Sequence, residues 1–310
     1  MKPFLKWAGG KTQLLPVLMK DFPDDVTRYA EPFIGGGALF FHLLETRSHQ
    51  IKEWYISDTN PTLISLYQIL SDPEATSYLI ENLKTVESIY NNLNWTEREK
   101  AFYDARKGFN KRILSPPEDR ESRIKHAAQA IFLNKTSFNG LWRVTKNGYY
   151  NTPFNFLGID KKTGICRWAN ICKEENLLEI HKKLSSVDVE ICLRDFVKGS
   201  LDFASEGDPE KTFFYFDPPY RPVNKSSFKA YTKTPFNDDK QVILSRLVRQ
   251  LVQRGCSVLA SNSNCDDKFL PSLYPGYINI EVVSARRSIN SKGDDRKGTE
   301  IVISNYRTIK

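Results

Sequence analysis

A short strand running into three consecutive glycines leaves a chain few folds to choose from. Arg28–Glu31 reads as a strand and leads into Pro32-Phe33-Ile34-Gly35-Gly36-Gly37. Ala38–Leu44 follows as a helix, apolar nearly all round, as a buried helix is. Trp54–Ser57 reads as a second short strand and ends at Asp58. Strand, Gly-rich turn, helix and strand in that order make an α/β unit. Glycines bring no Cβ, so the backbone at Gly35–Gly37 can turn sharply and approach a ligand closely. Asp58 stands where a carboxylate can accept hydrogen bonds from ribose hydroxyls, which points to a nucleoside-containing cofactor. The spacing is not the dinucleotide G-x-G-x-x-G pattern, because Ala38, Leu39 and Phe40 follow Gly37. A plain Gly-rich turn is the alternative.

The rest of the chain divides by periodicity. Thr12–Met19 reads as a helix, and residues 61–134 read as helices with no convincing strand. Ser115-Pro116-Pro117 interrupts that run, and Glu118 starts an amphipathic helix carrying Ile124, Ala127, Ala128, Ile131 and Phe132 on its apolar side. Asn147-Gly148 between Leu141–Thr145 and Tyr149–Thr152 is a strong hairpin signal. Strands return at Val187–Leu193, Thr212–Phe216 and Ser257–Ala260, with a helix over Lys240–Arg254 stopped by Gly255. Tyr277–Ser284 and Thr299–Ser304 alternate like the arms of an antiparallel pair. The expected organisation is an α/β core in two pieces, 1–60 and 186–310, around a helical and hairpin insertion at 61–185.

Charge narrows the partners. The net charge is +8, and residues 98–146 hold twelve Lys/Arg against five Asp/Glu. Ser284–Gly298 holds five against two. Clustered positive charge suits a polyanion, because each neutralised phosphate releases counterions; two solvated basic faces would look the same. No apolar run approaches the ~20 residues that span a bilayer, and Met1–Trp7 does not read as a signal peptide. The five cysteines form no C-x-x-C pair and read as reduced thiols of a cytoplasmic protein.

Chemistry concentrates at Asp217-Pro218-Pro219-Tyr220, directly after the most apolar strand. Two prolines would end a strand under any hypothesis. They also stiffen the loop and leave carbonyls exposed without N–H donors. Asp217 and the Pro218 carbonyl are then two acceptors able to grip an NH₂ group, and Tyr220 offers a face for a base to stack on. An adenine N6 amine is a poor nucleophile, its lone pair delocalised into the ring. Two acceptors localise that lone pair, so in-line transfer from a methyl sulfonium needs positioning more than a strong base or a metal. Methylation at cytosine C5 needs a cysteine after proline, and none of the five cysteines follows one. Deamination needs a zinc triad, which the sequence lacks. Ala8-Gly9-Gly10-Lys11-Thr12 imitates a phosphate-binding loop, but Leu5 stands where its first glycine belongs.

Five motifs in order make the chain recognisable. Pro3–Lys11, Glu31–Gly37, Asp58-Thr59-Asn60-Pro61, Phe138–Arg143 and Asp217–Tyr220 together resemble the Dam-type (D12 class) site-specific DNA adenine-N6 methyltransferases, over nearly the whole chain. The resemblance implies a Rossmann-like α/β methyltransferase sheet of seven strands, the last hairpin antiparallel, with an inserted target-recognition domain. It implies S-adenosylmethionine as the cofactor and no metal. Trp7, Lys11, Phe33, Gly35, Gly37, Asp58, Asp195, Phe196 and Asp217 would hold that cofactor. Asp217, Pro218, Pro219 and Tyr220 would form the catalytic loop. Trp7 and Phe196 also read as ordinary core aromatics. In the hairpin Arg143 would read a guanine, or contact a phosphate instead. Asn139 and Leu141 would help the target adenine leave the stack, with Lys146, Arg286 and Arg287 on the DNA as well.

The expected activity is methyl transfer to N6 of a flipped adenine in duplex DNA, in restriction-modification or regulatory methylation. GATC is the word the resemblance suggests, although residues 155–168 depart from the family as a short insertion. A cytosine-N4 or RNA-adenine methyltransferase, and a non-catalytic DNA-binding protein of the same fold, are the rivals. A monomer is expected, with any cognate restriction endonuclease acting independently.

Overall fold

The computed structural model describes the chain apart from Ala8, Pro116, residues 157–162, Gly164, residues 223–235, Asp266, Pro275, Tyr277, residues 287–296 and residues 308–310. The chain forms two compact units. One comprises Gly9–Thr59, Val187–Lys229 and Thr234–Lys310; the other comprises Met1–Ala8, Asn60–Ser186 and Ala230–Lys233.

The first unit is built on one sheet. Among the described residues seven strands form it: β1 (Arg28–Glu31), β2 (Glu53–Asp58), β3 (Asp188–Leu193), β4 (Thr212–Phe216), β5 (Ser257–Ser263), β6 (Asn279–Arg286) and β7 (Lys297–Ser304). Their order is β3-β2-β1-β4-β5-β7-β6. β1 to β5 pair in parallel, whereas β7 runs antiparallel to both β5 and β6. The sheet is therefore the seven-stranded α/β arrangement with an antiparallel last hairpin that the sequence led us to expect.

Burial explains each strand's composition. Every residue of β4 is buried. Phe214 and Phe216 pack into a core with Leu244, Val248 and Leu251, while Phe213 stacks on Tyr29 at 6.2 Å. A strand covered on both faces reads as a continuous apolar run, as Thr-Phe-Phe-Tyr-Phe does. β3, at the sheet edge, alternates between exposed and partly buried positions. Arg28 opens β1 as a buried cation. Its guanidinium donates to Glu53 Oε2 at 2.8 Å, Thr212 Oγ1 at 3.0 Å and the Phe203 carbonyl at 3.0 Å.

The second unit is helical. Helices span Pro61–Ser71, Pro73–Asn91, Trp95–Asn110, Arg120–Thr136 and Glu174–Leu184. Four of the five begin at an Asn or Asp whose side chain accepts from a backbone N–H: Asn60, Asp72, Asn94 and Asp119. Asn94 and Glu97 form a reciprocal capping box. These caps explain where the helices start.

Residues 1–8 group with this unit, not with the sheet. The buried Asn134 side chain holds the Lys6 backbone on both sides, accepting from its N–H and donating to its carbonyl, each at 2.8 Å. It also donates to the Gly140 carbonyl at 2.8 Å. Gly140 has φ of 65°, and a Cβ there would collide with the Lys6 side chain.

Several local expectations shift. Thr12–Met19 is a 3-10 turn (Thr12–Leu14) followed by a four-residue helix (Leu15–Leu18). The helix from Glu118 starts at Arg120, and its second half is buried nearly all round, not on one side. Helices Glu174–Leu184 and Phe196–Ser205 form without having been read. The Asn147-Gly148 segment does turn the chain, with Thr145 donating to the Tyr149 carbonyl at 2.8 Å. Its arms make only isolated bridges, Val144 with Tyr150 and Ser137 with Phe154, instead of two strands. The reason is competition from side chains. The Arg143 guanidinium takes the Asn151 carbonyl at 3.1 Å, the Thr152 hydroxyl takes the Leu141 carbonyl at 2.9 Å, and Pro153 has no N–H to extend the ladder. The Asn110 amide holds the N–H and carbonyl of Tyr150 that face away from the partner arm, at 2.8 and 2.9 Å. No helix among the described residues is long and apolar enough to cross a membrane.

Candidate active site

In a parallel sheet ligands collect at the carboxyl ends of the strands, where the chain reverses its direction of travel along the sheet. Here that point lies between β1 and β4. The Gly-rich turn leaves the end of β1, Asp58 ends β2 and Asp217 follows β4.

The turn is held by its neighbours. Ile34 donates to the Ser57 carbonyl at 3.0 Å, and the Gly35 N–H donates to Asp58 Oδ2 at 3.3 Å. Gly35 and Gly37 have φ of 45° and 66°, a region L side chains rarely adopt. Phe33 is half-buried among aromatic rings, 5.0 Å from Phe196 and 5.6 Å from Phe236. Asp195 caps the helix of Phe196, accepting from the Val197 N–H at 3.0 Å. The turn, Asp58, Phe33 and Phe196 thus belong to one side of the sheet unit.

At the Asp217–Tyr220 loop the strongest feature is Lys11. Its side chain is buried, and its ammonium lies 2.9 Å from Asp217 Oδ1 and 4.6 Å from the centre of the Tyr220 ring. It also donates to the Gly9 carbonyl at 2.6 Å. The Tyr220 hydroxyl donates to Glu300 Oε2 at 2.6 Å, which fixes the ring. Behind the loop the Asn262 side chain accepts from the Arg221 N–H at 3.1 Å and donates to Gln241. Gln241 in turn donates to the Pro219 carbonyl at 3.5 Å. β5 and the helix Asp238–Gln253 therefore set the loop, and side-chain rotation alone cannot displace it.

Electrostatics single out the same group. Burial raises the Asp217 carboxyl to about 6, against the opposing pull of Lys11. Burial also pushes the Glu31 carboxyl well above its usual range, opposed by the Tyr29 hydroxyl that donates to it at 2.6 Å. Three cysteines, Cys172, Cys192 and Cys256, are raised to about 11, chiefly by burial, so none of these three is a ready thiolate. Among the described residues no group of three or more His, Cys, Asp or Glu side chains could hold a metal ion.

A carboxylate accepts more strongly than its protonated form, so an acceptor role for Asp217 would set an acid limb for the activity. As the pH falls through about 6 the carboxylate takes up a proton and keeps only one, weaker acceptor oxygen. We therefore expect kcat/KM to fall below pH 6, approaching about tenfold per pH unit. A profile flat from pH 8 to pH 5 would rule out that role for the ionised form.

The remaining predicted residues, apart from Arg286 and Arg287, belong to the helical unit. Trp7 stacks on the buried Trp142 at 5.7 Å. Asn139 is exposed with a left-handed φ of 55°. Leu141 and Arg143 take alternate positions to the buried Trp142 and Val144, and Lys146 is exposed at the turn. Arg143 is held in place: Nε donates to Asn151 Oδ1 at 2.8 Å and Nη2 to the Asn151 carbonyl at 3.1 Å. Arg287 and the Arg286 side chain lie outside the described residues.

A family model described as D12 class N6 adenine-specific DNA methyltransferase matches residues 7–289. The chain belongs to that family. This methyltransferase is 39% identical over 314 residues to the type II methyltransferase M.MjaIII of Methanocaldococcus jannaschii, covering 99% of both chains. It is 33% identical to the type II methyltransferase M1.LlaDCHI of Lactococcus lactis subsp. cremoris, covering 99% of this chain and 96% of the relative. It is 27% identical to the DNA adenine methylase of Escherichia coli K12, over 99% of this chain and 95% of that one. The fold of the methyltransferase and its enzymatic class, adenine-specific DNA methylation, agree with the sequence reading.

Sequence reasoning missed the groups that hold the loop. Glu300, Asn262 and Gln241 stand 80, 41 and 21 positions from their partners Tyr220, Arg221 and Asn262, with no local motif, and only the packing of β7, β5 and the helix Asp238–Gln253 brings them together. Glu31 stood inside a quoted motif but carried no assigned role, because nothing local signals that a strand-end carboxyl will be buried.

Proposed function

We propose that this methyltransferase uses Asp217–Tyr220 to present the N6 amine of an adenine, extruded from duplex DNA, to the methyl group of S-adenosylmethionine. The observation that carries this reading is the Lys11 ammonium. A nitrogen donor already sits on the Asp217 carboxylate over the Tyr220 ring, the same carboxylate and ring we assign to an adenine amine.

The cofactor pocket fits the donor set. The glycine turn, the Asp58 carboxylate and the Phe33, Phe196 and Phe236 rings suit a nucleoside carrying a positive charge. When bound, S-adenosylmethionine supplies an electrophilic methyl on a cationic sulfur. Phe33, Gly35, Gly37, Asp58 and Phe196 are our proposed pocket, with Lys11, Asp195 and Asp217 at its polar edge. Trp7 is the one proposed contact that belongs to the helical unit. Asp217 and the Pro218 carbonyl accept the two amine hydrogens, which returns the lone pair to nitrogen. Tyr220 stacks the base, and Pro219 keeps the loop rigid. Transfer then proceeds by positioning and electrostatics.

We assign recognition to 61–185, with Arg143 as the reader of a guanine, Asn139 and Leu141 beside the base step, and Lys146, Arg286 and Arg287 on the backbone. Asn151 holds two Arg143 nitrogens, so the guanidinium needs little ordering on binding. Arg143→Ala is expected to lower discrimination at one base pair by about 10–100-fold, or ~1–3 kcal/mol. A uniform loss across all sequences would instead make it a phosphate contact. GATC is our proposed word. The proposed arrangement is a single chain acting in the cytoplasm, with any cognate restriction endonuclease acting independently of it.

The test is direct. The protein is incubated with labelled S-adenosylmethionine and unmethylated plasmid, and modified bases are mapped. Label at adenine N6 within one duplex word is expected. Label confined to RNA, or to cytosine N4, would overturn the proposal.

A further inference from the structure

The helical unit holds a concave surface that the catalytic reading does not use. A groove of about 580 Å³ is lined by Tyr103, Arg106, Lys107, Asn110, Lys111 and Tyr149, together with Leu114. Three cations line it and no carboxylate does. Two of them, Lys107 and Lys111, are exposed, and among the described residues neither makes an ion pair. The surrounding window, residues 98–146, holds twelve Lys/Arg against five Asp/Glu, a net excess of seven in a chain whose net charge is +8.

The other wall residues are fixed. Arg106 donates to the Thr152 carbonyl at 3.1 Å and lies over the Tyr103 ring at 4.7 Å. Asn110 clamps the backbone of Tyr150 from both sides. Those bonds attach the end of the helix Trp95–Asn110 to the turn that carries Arg143. Groove and reader therefore move as one piece, and a duplex engaged by Arg143 extends along a surface fixed relative to it.

We propose that this groove binds the sugar–phosphate backbone of the DNA, with Lys107 and Lys111 each neutralising a phosphate and Tyr103 and Tyr149 packing on sugars. This rests on the reading of Arg143 as a DNA contact. The groove sets affinity and register and carries no information about the word, because ammonium groups on phosphate do not distinguish bases. The simpler role for the two lysines is to complement the carbonyl end of the helix. That role predicts a change in stability and none in the response to salt.

The test compares the full chain with the double variant Lys107→Ala/Lys111→Ala. Binding to a fluorescent duplex containing a mapped methylation site, and to a scrambled duplex, is followed from low to high salt. Loss of two phosphate contacts should reduce the slope of log K against log salt by about 2, since each contributes roughly 0.9. Affinity at physiological salt should fall about tenfold or more on both duplexes, with their ratio and the binding of S-adenosylmethionine unchanged. Lys107→Arg/Lys111→Arg should keep the wild-type slope. An unchanged slope, alone or with a lowered melting temperature, overturns the proposal in favour of helix capping. A changed ratio overturns it because the groove then reads bases. Wild-type protein that binds neither duplex would instead overturn the DNA reading itself, and the groove with it.

Discussion

Asp217→Ala is expected to lower single-turnover methyl transfer by about 10²–10³-fold or more, the loss that follows removal of one preorganised polar group from a reacting centre. The carboxylate follows the last residue of β4, and its loop is held from behind by Asn262 and Gln241. Alanine removes the acceptor without disturbing those bonds, so the loop should keep its shape. The amine would then face only the Pro218 carbonyl, and its lone pair would stay in the ring. Binding of duplex DNA should survive within a few fold, because the proposed DNA contacts lie elsewhere in the chain. Lys11 would lose its carboxylate partner, so a modest fall in stability should accompany the loss. Asp217→Asn keeps one acceptor oxygen and should fall between wild type and alanine. Transfer rates and DNA affinity measured on the same preparations separate chemistry from folding. Full activity in Asp217→Ala would remove Asp217 from the mechanism.

The second large effect is on stability. Arg28→Ala should destabilise the sheet unit by about 3 kcal/mol. Its guanidinium is buried and serves three acceptors on three different elements: Glu53 at the start of β2, Thr212 at the start of β4, and the carbonyl of Phe203 in the helix Phe196–Ser205. It also lies 4.1 Å from the centre of the Phe203 ring. Glu53 is half exposed and can turn to water. The buried Phe203 carbonyl loses its Arg28 donor and keeps only the longer bond from the Glu206 N–H at 3.4 Å, so its share lies at the low end of roughly 1–3 kcal/mol. The remainder comes from the void left by the long side chain. A control, Thr212→Val, removes the bond from Arg28 and the hydroxyl's own donation to the Asp208 carbonyl at 2.6 Å, and should cost about 1–2 kcal/mol. Denaturant midpoints at constant m-value would measure both. A loss below about 1 kcal/mol for Arg28→Ala would show that water or Glu53 satisfies the site after truncation.

Much of the fold was legible because its signals are local. Each of the seven strands coincides with an apolar or alternating run, and an Asn or Asp marks the start of four of the five helices in the second unit. The hairpin was less legible. Asn147-Gly148 does promote a turn, but the Arg143 guanidinium and the Thr152 hydroxyl take the Asn151 and Leu141 carbonyls that a longer ladder would have used. The grouping of residues 1–8 with the helical unit depends in the same way on Asn134, which is 128 positions from Lys6. A side chain that replaces backbone pairing leaves no periodic trace.

The sequence by itself determined the kind of chemistry. A glycine turn after one strand, an acid after the next, and Asp-Pro-Pro-Tyr after a third are short motifs whose conformational and donor properties belong to the residues themselves. That is why a candidate loop, Asp217–Tyr220, could be proposed before any geometry was known. Tertiary structure alone decided what surrounds it. Parallel pairing aligned the ends of β1, β2 and β4, and the antiparallel strand β7 delivered Glu300 to the Tyr220 hydroxyl. Burial then raised the Asp217 carboxyl to about 6, with Lys11 lying 2.9 Å away. These are effects of dielectric and distance. Both are properties of residues brought together from opposite ends of the chain, and neither can be read from any one segment.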